Sequence, residues 1–326
     1  MSIKVLFLSD PGTGDTPSGP QRFARGFVSG IKGLVDLTHI SLREESKLSR
    51  VLACLGRYDI YHVSGVSFLE PVAAALRAGS RLLYTAHGTV AGEMRLGYRY
   101  PVRLLWAERL LLRRARFTVA VSETLRQRIG GEYPFADNKV IVIPPPIDPA
   151  LLESEPEDPG FPRPYILFPG SGPTKGLAHA LRAFEMVRDR IPRISLVVIS
   201  EEQGPKPPGV IWSEPLPTRT LIGAYAEAEL VLNTSDYETF GLPVVEAAAL
   251  GKPFLVSKGS GASEYARKEF PELVVDPEDH EALATKILGI MRNPPPRDAL
   301  RAWAGRFSAQ RVAEEYMRLY REVCLT

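Results

Sequence analysis

Short apolar runs, separated by stretches of helical periodicity, constrain the fold of this chain more than any other feature. Continuous apolar strands between amphipathic helices are typical of parallel sheets that are covered on both faces. Two sets of six such runs predict an α/β protein with two Rossmann-like units, in which ligands bind beyond the carboxyl ends of the strands. The predicted strands are Val5–Leu8, Leu37–Ile40, Ile60–Val63, Leu82–Thr85, Phe117–Val121, Val140–Ile143, Tyr165–Phe168, Ser195–Ile199, Val210–Trp212, Leu230–Leu232, Phe254–Val256 and Leu273–Val275.

A proline-rich segment separates the two sets of strands. Residues 144–164 contain eight prolines with acidic residues interspersed. This composition favours an extended, solvated connection over a packed element. We therefore expect a first domain over residues 1–150, a second domain over 151–308 and a final helix over 309–326.

Composition excludes several classes of protein. The 326 residues, 44% apolar and 24% charged, suffice for two buried cores in a soluble globular protein. Two cysteines, Cys54 and Cys324, are too few for a disulfide framework and lack metal-ligand spacing, so we expect a cytoplasmic location. No apolar run is long enough to span a bilayer, and the first one stops at Ser9, which favours a strand over a signal peptide. Only three Asn and four Gln occur, which favours a thermophilic source.

The two halves of the chain carry opposite charge. Residues 1–150 contain 20 Lys and Arg and 13 Asp and Glu, a net charge of +7, whereas residues 151–326 contain 20 and 25, a net charge of −5. An anionic ligand or surface therefore suits the first half better. We do not expect a nucleic-acid partner, because the second half is acidic and no recognition motif is present.

The strongest functional signal begins at Glu238. The Phe240-Gly241 turn follows it, then Pro243 where a helix would begin, with Glu246 in the expected first helical turn. Proline at a helix start costs no hydrogen bond, so the amides of the turn and the positive end of the helix dipole can face a phosphate. Two acids eight residues apart are common by chance. With a helix start between them they suit two parts of one ligand, such as a sugar and a ribose, better than a glycosidase pair.

A second phosphate signal opens the second domain. A predicted strand leads into the glycine-rich turn of Gly170 and Gly172, and Lys175 follows at a helix start. In this geometry a flexible ammonium and free helix amides converge on one anion.

Signals in the first domain are weaker. Glycines follow the first strand, but they do not match Gly-x-Gly-x-x-Gly and no P-loop lysine is present. His87 follows the fourth predicted strand and precedes Gly88. A single histidine is more often a packing residue than a catalyst, but this one lies at a strand end where ligand sites form. We interpret His62, inside the third strand, as structural.

Together these motifs resemble the retaining GT-B glycosyltransferases, the family of glycogen synthases, sucrose synthases and phosphatidylinositol mannosyltransferases. The resemblance covers essentially the whole chain and is most specific in its second half. It implies two Rossmann-like domains with a cleft between them, the second for a nucleotide-sugar donor and the first for the acceptor. It also implies that the final helix crosses back onto the first domain.

The resemblance assigns roles at the donor site. Lys175 and the amides of the helix start would stabilise the departing diphosphate, where charge develops in the transition state. Glu238 would hold the donor sugar, Glu246 the ribose, and Leu216 would lie against the nucleobase. The donor-site positions implied in this way are Gly170, Ser171, Lys175, Leu216, Phe240, Gly241, Leu242 and Glu246.

Ser171 departs from the family pattern, which carries an arginine there. The change removes on the order of ~1.5–3 kcal/mol of possible phosphate stabilisation, with Arg22 as a candidate substitute. On the acceptor side the family's glycine-rich loop corresponds to Gly14, Gly19 and Arg22. His87 matches the family's Thr-x-His-Gly motif and would orient the substrate or stabilise charge. The expected catalytic residues are thus His87, Lys175 and Glu238.

A basic segment completes the functional signals. Seven arginines and one glutamate lie between Arg95 and Arg116, interleaved with leucine and aromatic residues. A basic amphipathic helix of this kind suits an anionic membrane surface or a phosphorylated acceptor. The solvated face of a surface helix explains it equally well. Arg95, Arg99 and Arg103 would bind the anionic surface.

We predict a retaining glycosyltransferase that moves a sugar from a UDP- or GDP-sugar to the hydroxyl of a sugar or lipid-linked acceptor, at the cytoplasmic face of a membrane. No Asp-x-Asp motif is present, so neither a metal nor another cofactor is expected. Two alternatives remain open. One is a binding or partner subunit of the same fold that has lost turnover, as Ser171 suggests; the other is an epimerase or phosphorylase on the same scaffold.

Overall fold

The computed structural model describes residues 2–9, 16–41, 46–66, 69–170 and 172–325. The chain divides into two compact units. Unit 1 comprises Met1–Asp148 and Phe307–Thr326, and unit 2 comprises Pro149–Arg306. Unit 2 is therefore an insertion between two segments of unit 1.

Each unit contains a six-stranded parallel sheet. The order is β2-β1-β3-β4-β5-β6 in unit 1 and β12-β11-β10-β7-β8-β9 in unit 2. The strands are β1 (Lys4–Ser9), β2 (Asp36–Ser41), β3 (Ile60–Ser64), β4 (Leu82–Ala86), β5 (Phe117–Ala120), β6 (Val140–Val142), β7 (Tyr165–Pro169), β8 (Ser195–Ile199), β9 (Val210–Ser213), β10 (Leu230–Asn233), β11 (Phe254–Ser257) and β12 (Val274–Val275).

Helices connect the strands and cover the sheets, as parallel crossovers require. They are α1 (Gly19–Ile31), α2 (Lys47–Cys54), α3 (Leu69–Ala78), α4 (Val90–Arg95), α5 (Val102–Arg114), α6 (Glu123–Glu132), α7 (Ala150–Glu153), α8 (Leu177–Arg190), α9 (Thr218–Glu227), α10 (Leu242–Ala249), α11 (Ala262–Glu269), α12 (His280–Arg292), α13 (Arg297–Ala304) and α14 (Ala309–Cys324).

In unit 1 the two faces of the sheet carry different helices. Right-handed crossovers place α1 on one face and α2, α3 and α5 on the other. In agreement, α14 packs against α1, while α3 packs against both α2 and α5. The central strands β3 and β4 are buried along their whole length, because helices cover both of their faces.

A buried polar network ties α14 to this sheet. His62 on β3 hydrogen bonds through Nδ1 to the Tyr320 hydroxyl and through Nε2 to Thr85 Oγ1, both at 2.8 Å. Thr85 in turn hydrogen bonds to the Tyr316 hydroxyl at 3.0 Å. Burial lowers the pKa of His62 to about 3, so its imidazole is neutral. Phe27 packs edge-on against both His62 and Tyr316. These contacts support the structural interpretation of His62.

The predicted α/β architecture and all twelve strands are confirmed, and no strand end shifts by more than one residue. Strand β12 is one residue shorter than predicted. It begins at Val274 because Pro271–Leu273 forms a 3-10 turn.

The predicted solvated connection is wrong at its start. Residues 144–148 are buried, and the Ile147 N–H donates a hydrogen bond to the Phe307 carbonyl at 2.8 Å. This segment lies against Gly26 of α1, where a Cβ would come within 2.9 Å of the Ile147 oxygen. The next residues form the short helix α7, and the exposed part of the connection begins at Leu152.

The single basic helix predicted over residues 95–116 is also wrong. Arg95 ends α4, Arg99 lies in the connection, and Arg103 is the second residue of α5. The break occurs at Gly97, which has φ of +97°, and at Pro101, which is the N-cap of α5. No helix in the described part of the chain combines the length and apolar character that a membrane span needs.

Candidate functional site

In unit 2 the loops after the adjacent strands β7 and β10 are joined by hydrogen bonds to main-chain carbonyls. The Asp236 N–H donates to the Thr174 carbonyl at 2.9 Å, and the Thr234 hydroxyl donates to the Gly176 carbonyl at 2.8 Å. Gly176 has φ of +67°, and a Cβ at this position would overlap the Thr234 carbonyl. A glycine is required here because the two loops approach so closely.

This junction brings two predicted site residues together. The Lys175 ammonium forms an ion pair with the Glu238 carboxylate. Their side chains are 27% and 14% exposed, so the pair is accessible to a ligand while most of each side chain is enclosed. The ammonium is positioned by its carboxylate partner and can bind an anionic group that approaches this edge of the sheet.

The helix start next to Glu238 is held in a fixed conformation. Gly241 is the N-cap of α10 with φ of +101° and ψ of 55°, and a Cβ there would lie 2.6 Å from Ser260 Oγ. The Ser260 hydroxyl donates to the Phe240 carbonyl at 2.7 Å, and the Gly261 N–H donates to the Glu238 carbonyl at 3.1 Å. The loop therefore presents the N-terminus of α10 beside the Lys175–Glu238 pair, a favourable position for an anion.

Glu246 lies deeper than the sequence suggests. Helix α10 begins at Leu242, so Glu246 is its fifth residue, and the prediction that it lies in the first turn is wrong. The residue is 1% exposed, and its Oε2 accepts a hydrogen bond from the Tyr225 hydroxyl at 2.8 Å. Tyr225 thus fixes one oxygen of this carboxylate.

The other donor-site positions are spread along the carboxyl edge of the sheet. The Gly170 N–H donates to the Ile199 carbonyl at 3.2 Å, and a Cβ on Gly170 would make only ordinary contacts. Leu216 is half-buried between β9 and α9. Strand β9 is three positions from β10, which places the two strands about 14 Å apart. Ser171 and Gly14 lie outside the described residues.

The sequence analysis did not identify a pair of histidines that lies beside the carboxyl edge of this sheet. His179 in the first turn of α8 hydrogen bonds through Nδ1 to His280 Nε2 at 3.0 Å and through Nε2 to Asp236 Oδ1 at 3.1 Å. Asp236 belongs to the loop that carries Glu238. One signal in the sequence could have identified them, namely their closeness in the chain to predicted site residues. His179 follows Lys175 by four residues, and Asp236 precedes Glu238 by two.

In unit 1 His87 directly follows β4. Its Nε2 hydrogen bonds with Ser64 Oγ at the end of β3 at 2.9 Å, and its ring meets that of Phe23 edge-on at 4.6 Å. Burial lowers the pKa of His87 to about 4. A neutral imidazole orients a substrate by hydrogen bonding but carries no charge, so the geometry favours the orienting role over charge stabilisation. The sequence analysis did not identify Ser64. This residue lies beside His87 because β3 and β4 are neighbouring parallel strands that end at the same edge of the sheet.

The remaining predicted site residues of the first domain lie either in the first turn of α1 or on the surface. Gly19 begins α1, where an added Cβ would meet open space, and Arg22 lies in the first turn of this helix. Arg95, Arg99 and Arg103 are exposed, and Arg95 pairs with Glu132 at 3.1 Å. Within the described ranges no cluster of three His, Cys, Asp or Glu residues is placed to hold a metal ion.

Family profiles match both halves of the chain. The profile "Glycosyltransferase Family 4" matches residues 5–151, and "Glycosyl transferases group 1" matches residues 155–304, which includes the Lys175–Glu238 pair. The chain belongs to the group 1 glycosyltransferases. The resemblance to this family that was inferred from the motifs is confirmed.

Curated glycosyltransferases show moderate sequence similarity. The uncharacterized glycosyltransferase YqgM of Bacillus subtilis is 26% identical over 69% of this chain and 66% of its own length. A D-inositol 3-phosphate glycosyltransferase of Segniliparus rotundus is 26% identical over 75% of this chain and 62% of its own length. The chain thus matches less than two thirds of the length of these relatives.

Solved glycosyltransferase structures share the fold over nearly the whole chain. Anabaena HepE, solved with UDP and glucose, has a TM-score of 0.73 at 17% identity and covers 98% of this chain and 100% of its own. A sucrose-phosphate synthase of Thermosynechococcus elongatus has a TM-score of 0.64 at 19% identity, with 98% of both chains covered. At this level of identity the likeness concerns the fold, and the predicted GT-B fold class is confirmed.

Proposed function

We propose that this group 1 glycosyltransferase transfers a sugar from a nucleoside-diphosphate sugar to an acceptor hydroxyl with retention of anomeric configuration. The single observation that carries the proposal is the Lys175–Glu238 ion pair, held beside the N-terminus of α10. A cation and a helix start together suit a diphosphate, and the carboxylate suits sugar hydroxyls.

In the donor site each group has a separate task. Lys175 and the amides of Gly241 and Leu242 stabilise the negative charge that develops on the departing diphosphate. Glu238 accepts hydrogen bonds from the donor sugar, and Glu246, fixed by Tyr225, accepts them from the ribose. UDP is the favoured nucleotide, because Anabaena HepE of the same fold was solved with UDP and with UDP-glucose.

The reaction exchanges one bond at the anomeric carbon for another. The bond to the diphosphate oxygen breaks, and the bond to the acceptor oxygen forms on the same face of the sugar. The acceptor proton passes to the leaving phosphate oxygen, and neutral His87 orients the acceptor by hydrogen bonding. We propose no protein nucleophile and no metal, since the sequence lacks an Asp-x-Asp motif.

For the acceptor we propose an anionic compound, either a sugar or polyol phosphate or a lipid-linked one. Unit 1 contains most of the basic first half of the chain, which favours an anionic partner. Relatives named D-inositol 3-phosphate glycosyltransferase are consistent with a phosphorylated acceptor.

A donor and acceptor panel tests the proposal. UDP- and GDP-sugars are incubated with and without inositol phosphate or a hexose phosphate, and release of nucleoside diphosphate is followed together with the anomeric proton signals of the product. We expect acceptor-dependent release and retained configuration. Binding without turnover would indicate the partner subunit that the Ser171 position suggested, and sugar conversion without an acceptor would indicate an epimerase.

A further inference from the structure

The exposed apolar side chains of this protein are concentrated on one layer of unit 1. Of the eleven exposed large apolar residues in the described ranges, seven lie on or at the end of α2, α3 and α5. These helices are neighbours on the same face of the sheet. We name this surface the leucine–tryptophan face, and its principal members are Leu48, Leu52, Leu55, Leu76, Val102 and Trp106.

The pattern along each helix shows that these residues form a surface and are not scattered. Leu48, Leu52 and Leu55 recur at spacings of four and three residues, which places them on one side of α2. Val102 and Trp106 share the spacing of four on α5, and both are more than 60% exposed. Exposed apolar side chains grouped on neighbouring helices in this way indicate an interaction site.

The exposed charges on the described part of these three helices have one sign. Helices α2, α3 and α5 contain two acids, and both are buried: Glu70 pairs with Arg50 at 3.0 Å, and Glu108 accepts hydrogen bonds from the Val90 N–H and the Tyr133 hydroxyl. The arginines that these helices expose are Arg77, Arg103, Arg109, Arg113 and Arg114. The face therefore combines apolar side chains with cations and lacks exposed acid on the described part of its helices.

We propose that the leucine–tryptophan face binds the surface of an anionic lipid bilayer, with its leucines and Trp106 inserted at the headgroup level and its arginines on the lipid phosphates. Aliphatic anchors, an interfacial tryptophan and exposed arginines match the chemistry of such a surface. A second copy of the chain fits less well, because symmetric pairing would place arginines of both copies against each other. The link to a lipid-linked acceptor rests on the proposed function, whereas bilayer binding does not.

Vesicle sedimentation tests the proposal directly. The full chain is spun with phosphatidylcholine vesicles and with vesicles that also contain phosphatidylglycerol, at low and high salt. We expect it to pellet with the anionic vesicles only and to be released by salt. Leu52→Ser with Leu76→Ser should lower the partition coefficient at least tenfold. The matched control, Leu34→Ser with Leu152→Ser, changes two leucines that are also exposed, at 47% and 56%, but lie off the face, and it should retain parental binding.

The cationic contribution is tested in the same assay. Arg103→Gln with Arg114→Gln should weaken binding to anionic vesicles several-fold, whereas Arg318→Gln with Arg321→Gln on the exposed side of α14 should not. A blue shift of tryptophan fluorescence on addition of anionic vesicles, absent in Trp106→Phe, would place Trp106 in the interface.

Three results would overturn the proposal: no sedimentation of the parent with anionic vesicles, equal losses in the control pair, or a dimer in light scattering that Leu52→Ser with Leu76→Ser converts to a monomer. Thermal melts and UDP binding measured without vesicles verify that the variants are folded. UDP binding and turnover with a soluble acceptor report on the proposed function separately, so failure of one proposal is distinguishable from failure of the other.

Discussion

At the scale of single residues, Lys175 should dominate donor turnover. The Lys175→Met variant lacks the ammonium that we place on the departing diphosphate, a charge-assisted contact of about 1.5–3 kcal/mol. We expect kcat/KM for the nucleotide sugar to fall by about 10- to 150-fold. Lys206→Met, which removes an exposed lysine of the same unit, is the control. An unchanged rate in Lys175→Met would place the diphosphate elsewhere.

Tyr225 should contribute to nucleotide affinity through Glu246. Tyr225→Phe removes the hydroxyl that fixes the buried carboxylate, and we expect the Kd for UDP to rise by about 5- to 10-fold for the loss of one hydrogen bond of about 1–1.5 kcal/mol. Glu246→Ala should weaken binding further. Tyr165→Phe is a matched control, because its hydroxyl donates to the Ala224 carbonyl without touching Glu246. Equal UDP affinity in Glu246→Ala and the parent would remove Glu246 from the site.

His87 should remain neutral across the physiological pH range. Its pKa lies near 4, below the ordinary value of 6.5, so the unfolded chain takes up the proton first as pH falls. Stability attributable to His87 is therefore complete above pH 6.5 and is lost as pH falls towards 4. NMR titration of the five histidines, with His87→Asn used for assignment, should show that the His87 signal does not shift between pH 8 and 5.5. A midpoint near 6.5 would contradict this.

At the scale of secondary-structure elements, the start of α10 should be sensitive to a single methyl group. Gly241→Ala places a Cβ at φ of +101° and 2.6 Å from Ser260 Oγ. We expect a loss of about 1–3 kcal/mol of unfolding free energy, together with weaker UDP binding, because the helix start must move. Gly289→Ala, within α12 where a Cβ meets nothing within 4 Å, should be neutral or stabilising. Thermal melts and UDP titrations of both variants provide the comparison.

The strands were predictable from the sequence because a strand that is buried on both faces consists mainly of apolar residues. Val5–Leu8 and Ser195–Ile199 were recognisable without any knowledge of their neighbours. The meeting of Lys175 and Glu238 was not, since it depends on β7 lying beside β10, and the two residues are 63 positions apart. Sequence marked each residue as a site candidate but could not show that they form an ion pair.

Three other features were not predicted from the sequence, each for a different physical reason. The break between α4 and α5 was present in the sequence as Gly97 and Pro101, but the arginine pattern was given more weight than these helix breakers. The hydrogen bond between His179 and His280 joins α8 to α12, which are far apart in the chain, and no local pattern marks such a contact. The burial of Glu246 was not predicted, because it depends on where α10 begins and sequence locates a helix boundary only to within a few residues.

At the scale of the whole molecule, α14 should determine the stability of unit 1. Tyr316 and Tyr320 are fully buried, and Gly30 of α1 lies so close to Ala309 that a Cβ would overlap its carbonyl. Seven apolar side chains of α14 lie in the core of unit 1. The six that are larger than alanine contribute about 1.5–3 kcal/mol each, and their sum is comparable to the total stability of a typical domain of about 5–15 kcal/mol.

We therefore expect a chain shortened after Phe307 to lose the cooperative unfolding of unit 1 while unit 2 still melts as a unit. Differential scanning calorimetry should show two transitions for the full chain and one for the shortened chain. Tyr320→Phe serves as a milder variant: it leaves His62 without one partner and should lower only the transition of unit 1. Retention of both transitions in the shortened chain would show that α14 is dispensable for folding.

Because residues 307–326 belong to unit 1, the direction of synthesis also determines the order in which the two units can fold on the ribosome. Every residue of unit 2 leaves the exit tunnel before the helix that completes unit 1, so the insertion can fold while the host unit still waits for its last element. During that interval the apolar surface of α1 around Phe23 and Phe27 has no cover from α14. The nascent chain is then most exposed to chaperones through the part of the protein that was synthesised first.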